Sequence, residues 1–288
     1  MTPRRGSTAG LSRYDRVALD AAAQIIAGYS TSFGWASRLL GEPVRTHVRS
    51  IYALVRVADE IVDDPDPRLT PLLRAEQLDG FEQETIRALH TGRSADLVIH
   101  AFALAARPHG IGEDLVGPFF TAMRRDLTYR EHTQASLDDY VHGSAEVVGL
   151  MCLRVFVDGD PEAFERLRPG ARRLGAAFQK VNFLRDLADD GELLGRTYFP
   201  GVTPGTFTDE QRDVLLDDID ADLAAAAAVI PALPSSSRRA VGATHDLYRA
   251  LADRLRTVPA TDIARRRIRV PDAQKACILC RALIGRHR

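Results

Sequence analysis

The sequence predicts an all-α fold, and three observations carry that expectation. Apolar residues recur at spacings of three and four along almost all of the 288 residues, the repeat of helices that bury one face. Alternating Val, Ile and Thr runs of the strand kind are missing, and Pro and Gly cluster at intervals that suit helix ends rather than hairpin turns. At 45% hydrophobic and 27% charged residues, the chain can bury a sizeable core. Its 38 basic and 39 acidic residues leave a formal charge of −1, so there is no net basic field to hold a nucleic-acid backbone. No nucleic-acid partner is expected.

The breaks fall at residues 41–43, 65–71, 108–112, 158–161, 169–170, 191–205, 231–237 and 258–259, punctuating about ten helices. None is a long flexible linker and the composition does not shift along the chain, so one domain over residues 1–288 is expected, with 1–15 flexible. The longest irregular piece, 191–205, has the length at which ordered loops tend to be functional. The start lacks the apolar stretch of a secretory signal, no run reaches the roughly 18 apolar residues of a spanning helix, and the three cysteines suit no disulfide framework. A cytoplasmic location follows as an expectation.

Two segments carry the chemistry. Residues 51–64 are free of Gly and Pro, and helical spacing puts Tyr52, Arg56, Asp59 and Asp63 on one face, with Leu54, Ala58 and Ile61 covering another. Two carboxylates four residues apart with no Lys beside them repel, and the repulsion favours a bound cation. The pattern returns in 176–190, where Gln179, Asn182, Asp186 and Asp190 form a stripe among Phe178, Val181, Phe183, Leu184 and Leu187. A single Asp-x-x-x-Asp is ordinarily a solvated helix face; the duplication, with Arg and amide companions in apolar helices, is not. Two Asp pairs offering only oxygen suit Mg²⁺, which takes carboxylates, waters and phosphate oxygens. Arg56 and Arg185 match the geometry of phosphate, so the site is expected to grip a diphosphate and to neutralise it as its C–O bond breaks.

These residues resemble the squalene and phytoene synthases, the head-to-head prenyl synthase family. Residues 52–64 are similar to its first aspartate motif. Gln179 to Asp190, followed by Gly195-Arg196-Thr197-Tyr198-Phe199-Pro200, is similar to its second. Tyr29-Ser30-Thr31-Ser32-Phe33 stands where the family has a flap, and Tyr140 to Met151, punctuated by Gly143 and Gly149, where it has a core helix. Within the family the likeness is to actinobacterial phytoene synthases, through Arg56 to Asp64 and Met123-Arg-Arg-Asp126-Leu. The chain departs from the pattern at Tyr29 and Thr31, where the family often has His and a basic residue.

The resemblance implies a single-domain isoprenoid synthase fold, a helical bundle around a central cavity. It implies Mg²⁺, with Mn²⁺ as the substitute, on Asp59, Asp63, Asp186 and Asp190. Prenyl diphosphate contacts are implied for Ser30, Ser32, Tyr52, Arg56, Gln179, Asn182, Arg185 and Tyr248, with Arg56 and Tyr248 counted among the catalytic groups. The implied reaction, the first committed step of carotenoid synthesis, joins two geranylgeranyl diphosphates through a cyclopropylcarbinyl diphosphate to phytoene and consumes no NADPH. A farnesyl-using synthase of squalene, dehydrosqualene or a hopanoid precursor keeps the same site, and a non-catalytic assembly factor keeps only the shape. Phe33, Phe119, Phe120, Phe178 and Phe183 are candidate cavity walls, against the plainer reading of helical aromatics as core. Ser37, with Gly34 beside it, is expected to leave room for the longer chain.

Three further features have plain readings beside functional ones. Cys277 and Cys280 are expected to be buried in an amphipathic helix over 273–283 rather than to form a redox or zinc pair. The basic run 264–269 reads as a solvated helix end or as a peripheral contact with anionic lipid. The acidic residues Asp217, Asp218, Asp220 and Asp222 read as surface.

Overall fold

The computed structural model describes residues 10–64, 66, 68–189 and 195–284, the side chains of 31–33 and 284 excepted. The described part is helical, its one β feature an isolated bridge between Glu131 and Thr197. In chain order the helices are α1 (Arg13–Tyr29), α2 (Thr31–Ser37), α3 (Val44–Asp63), α4 (Pro71–Thr91), α5 (Leu97–Ala106), α6 (Glu113–Thr128), α7 (Gln134–Val141), α8 (Val147–Phe156), α9 (Pro161–Arg185), α10 (Leu187–Asp189), α11 (Asp209–Val229), α12 (Ser235–Thr257), α13 (Ala260–Ile263) and α14 (Asp272–Ile284). A π-helical turn, His142–Glu146, joins α7 to α8.

Local chemistry sets the helix starts. Ser12 and Thr208 form capping boxes with Asp15 and Gln211, and Asp160 accepts from the amides of Glu162 and Ala163 ahead of Pro161, each side chain satisfying backbone donors that the helix leaves free. Capping by Ser12 also starts α1 at Arg13, inside the segment expected to be flexible; residues 1–9 of that segment lie outside the described residues. Gly92, at φ 80, ends α4 in the left-handed conformation that a Cβ would strain.

The core runs through the bundle on Ile51, Leu54, Phe102, Phe119, Met151, Leu184 and Ile219, all fully buried. α9 packs along α8, α11 and α12, and α3 packs between α1, α5, α6 and α8, so both acidic segments border the same interior.

Two boundaries differ from the sequence reading. The break expected at 169–170 is absent, because α9 runs through Pro169. The missing helix bond at Pro169 is tolerated, and Gly170 is small for a packing reason: a Cβ there would meet Val229 of α11. In the other direction, the helix expected to reach Asp190 stops at Arg185, with Asp186 as its cap at φ −100 and ψ 10.

Close packing places the π turn. A Cβ on Gly143 would lie 2.5 Å from the Pro118 carbonyl oxygen and 2.8 Å from the Ala122 Cβ, and neither α6 neighbour can swing aside. Gly143→Ala is therefore expected to cost about 2 kcal/mol as overpacking and to lower the melting midpoint by roughly 6 °C. Gly28→Ala, where the added methyl has open space, should leave it unchanged or raise it. Circular-dichroism melts of the two variants check the contrast.

Candidate active site

α3 positions the first stripe. Ile51, Leu54, Ala58 and Val62 are buried on its inner side, and Tyr52, Arg56, Asp59 and Asp63 remain partly accessible on the other. Burial, with the like charge of Asp63 adding to it, pushes the Asp59 carboxyl up to about 8 against the pull of Arg56. Arg56 pairs with Glu60 one turn along, lies 4.6 Å from the centre of the exposed Tyr29 ring, and keeps a buried Nε without a partner. Tyr29 thus supports a cation where the family pattern often supplies one, and the Nε donor remains free for an acceptor.

α9 and α12 supply the facing side. Gln179 reaches the cavity wall, the Tyr248 hydroxyl donates to Asn182 Oδ1 at 3.5 Å, and the Tyr248 ring stacks on Phe178 with centroids 3.8 Å apart. Burial raises the Tyr248 phenol against the charge of Arg185. The Tyr52 phenol, raised by burial, feels Arg56, the Ser30 hydroxyl, Asp59 and Tyr248, while Tyr248 feels Arg185 and Asp186. The two stripes therefore flank one space. Asp186 is held by Arg185 at 2.8 Å and by Arg267 at 2.9 Å, so Arg185 reaches a phosphate only by sharing its donors with its chain neighbour. Asp190 lies outside the described residues, as do the side chains of Ser32 and Phe33.

Below this polar end runs an apolar cavity of about 240 Å³. Ser37 of α2, Ser144 and Ala145 of the π turn, Cys152 of α8, Phe178 of α9 and Leu233 line it. Burial pushes the Cys152 thiol up to about 12, which leaves it an inert apolar wall. Of the aromatic residues expected there, Phe178 takes its place on the wall. Phe119 and Phe120 instead pack edge to face in the core, with Phe81 behind, and Phe183 stacks on Tyr198 at 3.9 Å.

Sequence reasoning gave no part in the site to Glu60, Asp126, Arg196 or Arg267. Arg196 is buried and donates from Nη1 to Asp63 Oδ1 at 2.6 Å, with Asp126 Oδ1 at 3.8 Å. Burial opposes its charge, but Asp126 and Asp63 outweigh that effect and keep it protonated. Asp126 accepts from the Tyr140 hydroxyl at 2.7 Å, and burial pushes it up to about 7 against the pull of Arg196. Helical spacing shows none of these contacts, although Arg196 and Asp126 both stand within the motifs that carried the resemblance.

The remaining readings shift in detail. The basic run begins at Ala264, the C-cap of α13, and continues past the end of that helix. Ile268 and Val270 are buried and anchor it, and Arg267 turns to Asp186. Asp222 is buried between Arg173 and Lys180 rather than on the surface. Cys277 and Cys280 are exposed, because α14 packs through Ile278 and Ala282. Among the described residues no helix is long and apolar enough to cross a membrane.

An all-α bundle with carboxylates, guanidiniums and amides at the mouth of an apolar cavity defines a class of protein that handles a long apolar molecule with an anionic head. The squalene/phytoene synthase family model matches residues 26–274. A 15-cis-phytoene synthase of a Paracoccus species is 28% identical over 273 residues, covering 87% of this chain and 86% of that protein. A second 15-cis-phytoene synthase, from Pantoea ananas, is 32% identical over 193 residues, 63% of this chain and 59% of that one. A ligand-bound dehydrosqualene synthase structure superposes with a TM-score of 0.77 at 19% identity, over 94% of this chain and 97% of that one, and shares the fold. The chain belongs to the squalene/phytoene synthase family.

Proposed function

We propose that this protein condenses two geranylgeranyl diphosphates into phytoene through a cyclopropylcarbinyl diphosphate, without NADPH. The observation that carries this reading is the junction at Phe178 and Gln179, where the apolar cavity adjoins Tyr248, which stacks on Phe178 and acts electrostatically on Tyr52 of the Arg56 and Asp59 stripe.

The residues suit Mg²⁺. Asp59 and Asp63 are an oxygen-only pair in which burial, with the like charge of Asp63 adding to it, raises Asp59. Among the described residues no three acidic, imidazole or thiol groups form a cage; Mg²⁺ ordinarily keeps several waters and takes substrate oxygens beside one or two carboxylates. Asp59, Asp63, Asp186 and Asp190 would hold it, and when bound it supplies positive charge to the departing diphosphate.

The chain's own groups do the rest. The Arg56 Nε donates to a phosphate oxygen, and Tyr52, Gln179, Asn182 and Tyr248 orient the head so that the allylic carbon points into the cavity. The first diphosphate leaves with the C–O electron pair. The double bond of the second substrate attacks the resulting cation, and proton loss closes the cyclopropane. A second ionisation, rearrangement and deprotonation give the hydrocarbon. The apolar wall excludes the water that would quench each cation.

Labelled C20 and C15 diphosphates, offered separately with Mg²⁺ and with or without NADPH, test the reading. Phytoene from the C20 substrate alone, indifferent to NADPH, is the expected product. A hydrocarbon from the C15 substrate only, or no diphosphate release from either, refutes it. The same reading has the exposed Arg265 and Arg269 meet anionic headgroups as the product leaves. The protein is then expected to sediment with phosphatidylglycerol vesicles at low salt and to be released at high salt.

A further inference from the structure

We propose that Asp126, buried and outside the apolar cavity, is a positioning residue that sets how strongly Asp63 attracts a divalent cation, acting through the guanidinium of Arg196. The inference rests on the reading of Asp59 and Asp63 as cation ligands.

The geometry is that of one cation shared by two anions. Arg196 Nη1 lies 2.6 Å from Asp63 Oδ1 and 3.8 Å from Asp126 Oδ1. Asp126 is fixed from behind by the hydroxyls of Tyr140 at 2.7 Å and Tyr198 at 3.5 Å. Tyr198 is itself clamped face to face on Phe183, the planes 9° apart.

Exposure separates the members. The side chains of Arg196 and Asp126 are each 6% exposed, and that of Asp63 is 40% exposed. An Arg196–Asp63 pair alone would be neutral and a poor cation ligand. When Asp126 is ionised the trio carries a net charge of −1, and Asp63 is the member at which a solvent-borne cation can meet that charge. Asp126 therefore allows Arg196 to hold the Asp63 rotamer without cancelling its attraction for metal, the work that partners of a ligating carboxylate commonly do.

Neutralising Asp126 should leave Arg196 wholly to Asp63. Asp126→Asn is expected to weaken cation binding about tenfold. Removing the guanidinium as well, in Asp126→Asn combined with Arg196→Gln, is expected to restore most of that loss, a compensation that a purely structural role would not produce.

The experiment titrates the full chain with Mn²⁺ alone, without substrate, and reads free Mn²⁺ by electron paramagnetic resonance, with folding followed by circular dichroism. Weakening in the single variant and recovery in the double support the proposal. A single variant that binds as tightly as the unaltered chain, or a double variant no better than the single, overturns it. If the unaltered chain itself takes up no Mn²⁺, the metal reading of Asp59 and Asp63 fails, and this inference with it. Should Asp126→Asn not fold, Tyr140→Phe removes the hydroxyl that fixes Asp126 and favours its charged form, with little change in core volume. It is expected to weaken Mn²⁺ about threefold, and unchanged affinity there counts equally against the proposal.

Discussion

Replacing Asp59 by Asn is expected to lower turnover about 10³-fold, equivalent to about 4 kcal/mol of lost electrostatic stabilisation, while the protein becomes more resistant to unfolding at alkaline pH. Both effects have one cause. Asp59 is carried on the buried-to-exposed boundary of α3 beside Asp63, and its carboxyl is raised to about 8 from an ordinary value of 3.8. A group raised in this way binds a proton more tightly when folded than when unfolded. Stability therefore falls as pH rises from about 4 to about 8, and the full loss is present above that window. Asn removes the loss, so the gain in melting midpoint should be larger at pH 8 than at pH 5. Metal binding by the unaltered chain at neutral pH should also release a proton from Asp59. Calorimetry in two buffers of different ionisation enthalpy reads that proton directly, and it should vanish in Asp59→Asn. Turnover near that of the unaltered enzyme, or the same proton release in both proteins, would contradict the assignment.

The first stripe was legible because a helix converts spacing into a face. Tyr52, Arg56, Asp59 and Asp63 needed only α3 to be continuous, and it is. The second stripe was legible only in part, since α9 ends at Arg185 and Asp186 takes its place through a helix cap and the pull of Arg185 and Arg267. Arg267 lies 81 residues beyond Asp186, and Arg196 lies 133 beyond Asp63. Contacts over such separations follow from how helices pack, which periodicity does not encode. The same limit governs Pro169: a proline beside a glycine signals a break locally, but the signal yields where Gly170 makes room for Val229. The aromatic residues show it again. Phe119 and Phe178 sit on equally convincing helices, and tertiary packing sends one to the core and the other to the cavity.

Ser37→Phe is expected to cut kcat/KM for the C20 diphosphate about 100-fold and to leave the C15 substrate within a few-fold of its starting value, which inverts the preference. Ser37 is 2% exposed and stands on the cavity wall on the side of α2, across from Phe178 and Cys152. Its hydroxyl is turned away into a 2.8 Å bond to the Gly34 carbonyl oxygen, so it presents only its Cβ to the apolar space. A benzyl group at that position has nowhere to go but into the cavity, because Ala36 and Leu40 beside it are already packed. The ring would shorten the channel from its apolar side, while Asp59, Arg56 and Asn182 keep their places at the polar mouth. Ionisation of a bound head group should therefore persist, and the loss should fall on the tail that no longer fits. Competition between the two labelled substrates in one reaction gives the ratio directly. An unchanged ratio would show that the tail runs elsewhere, whereas loss of both substrates together, with Mn²⁺ binding intact, would mean that the α2 flap had been displaced.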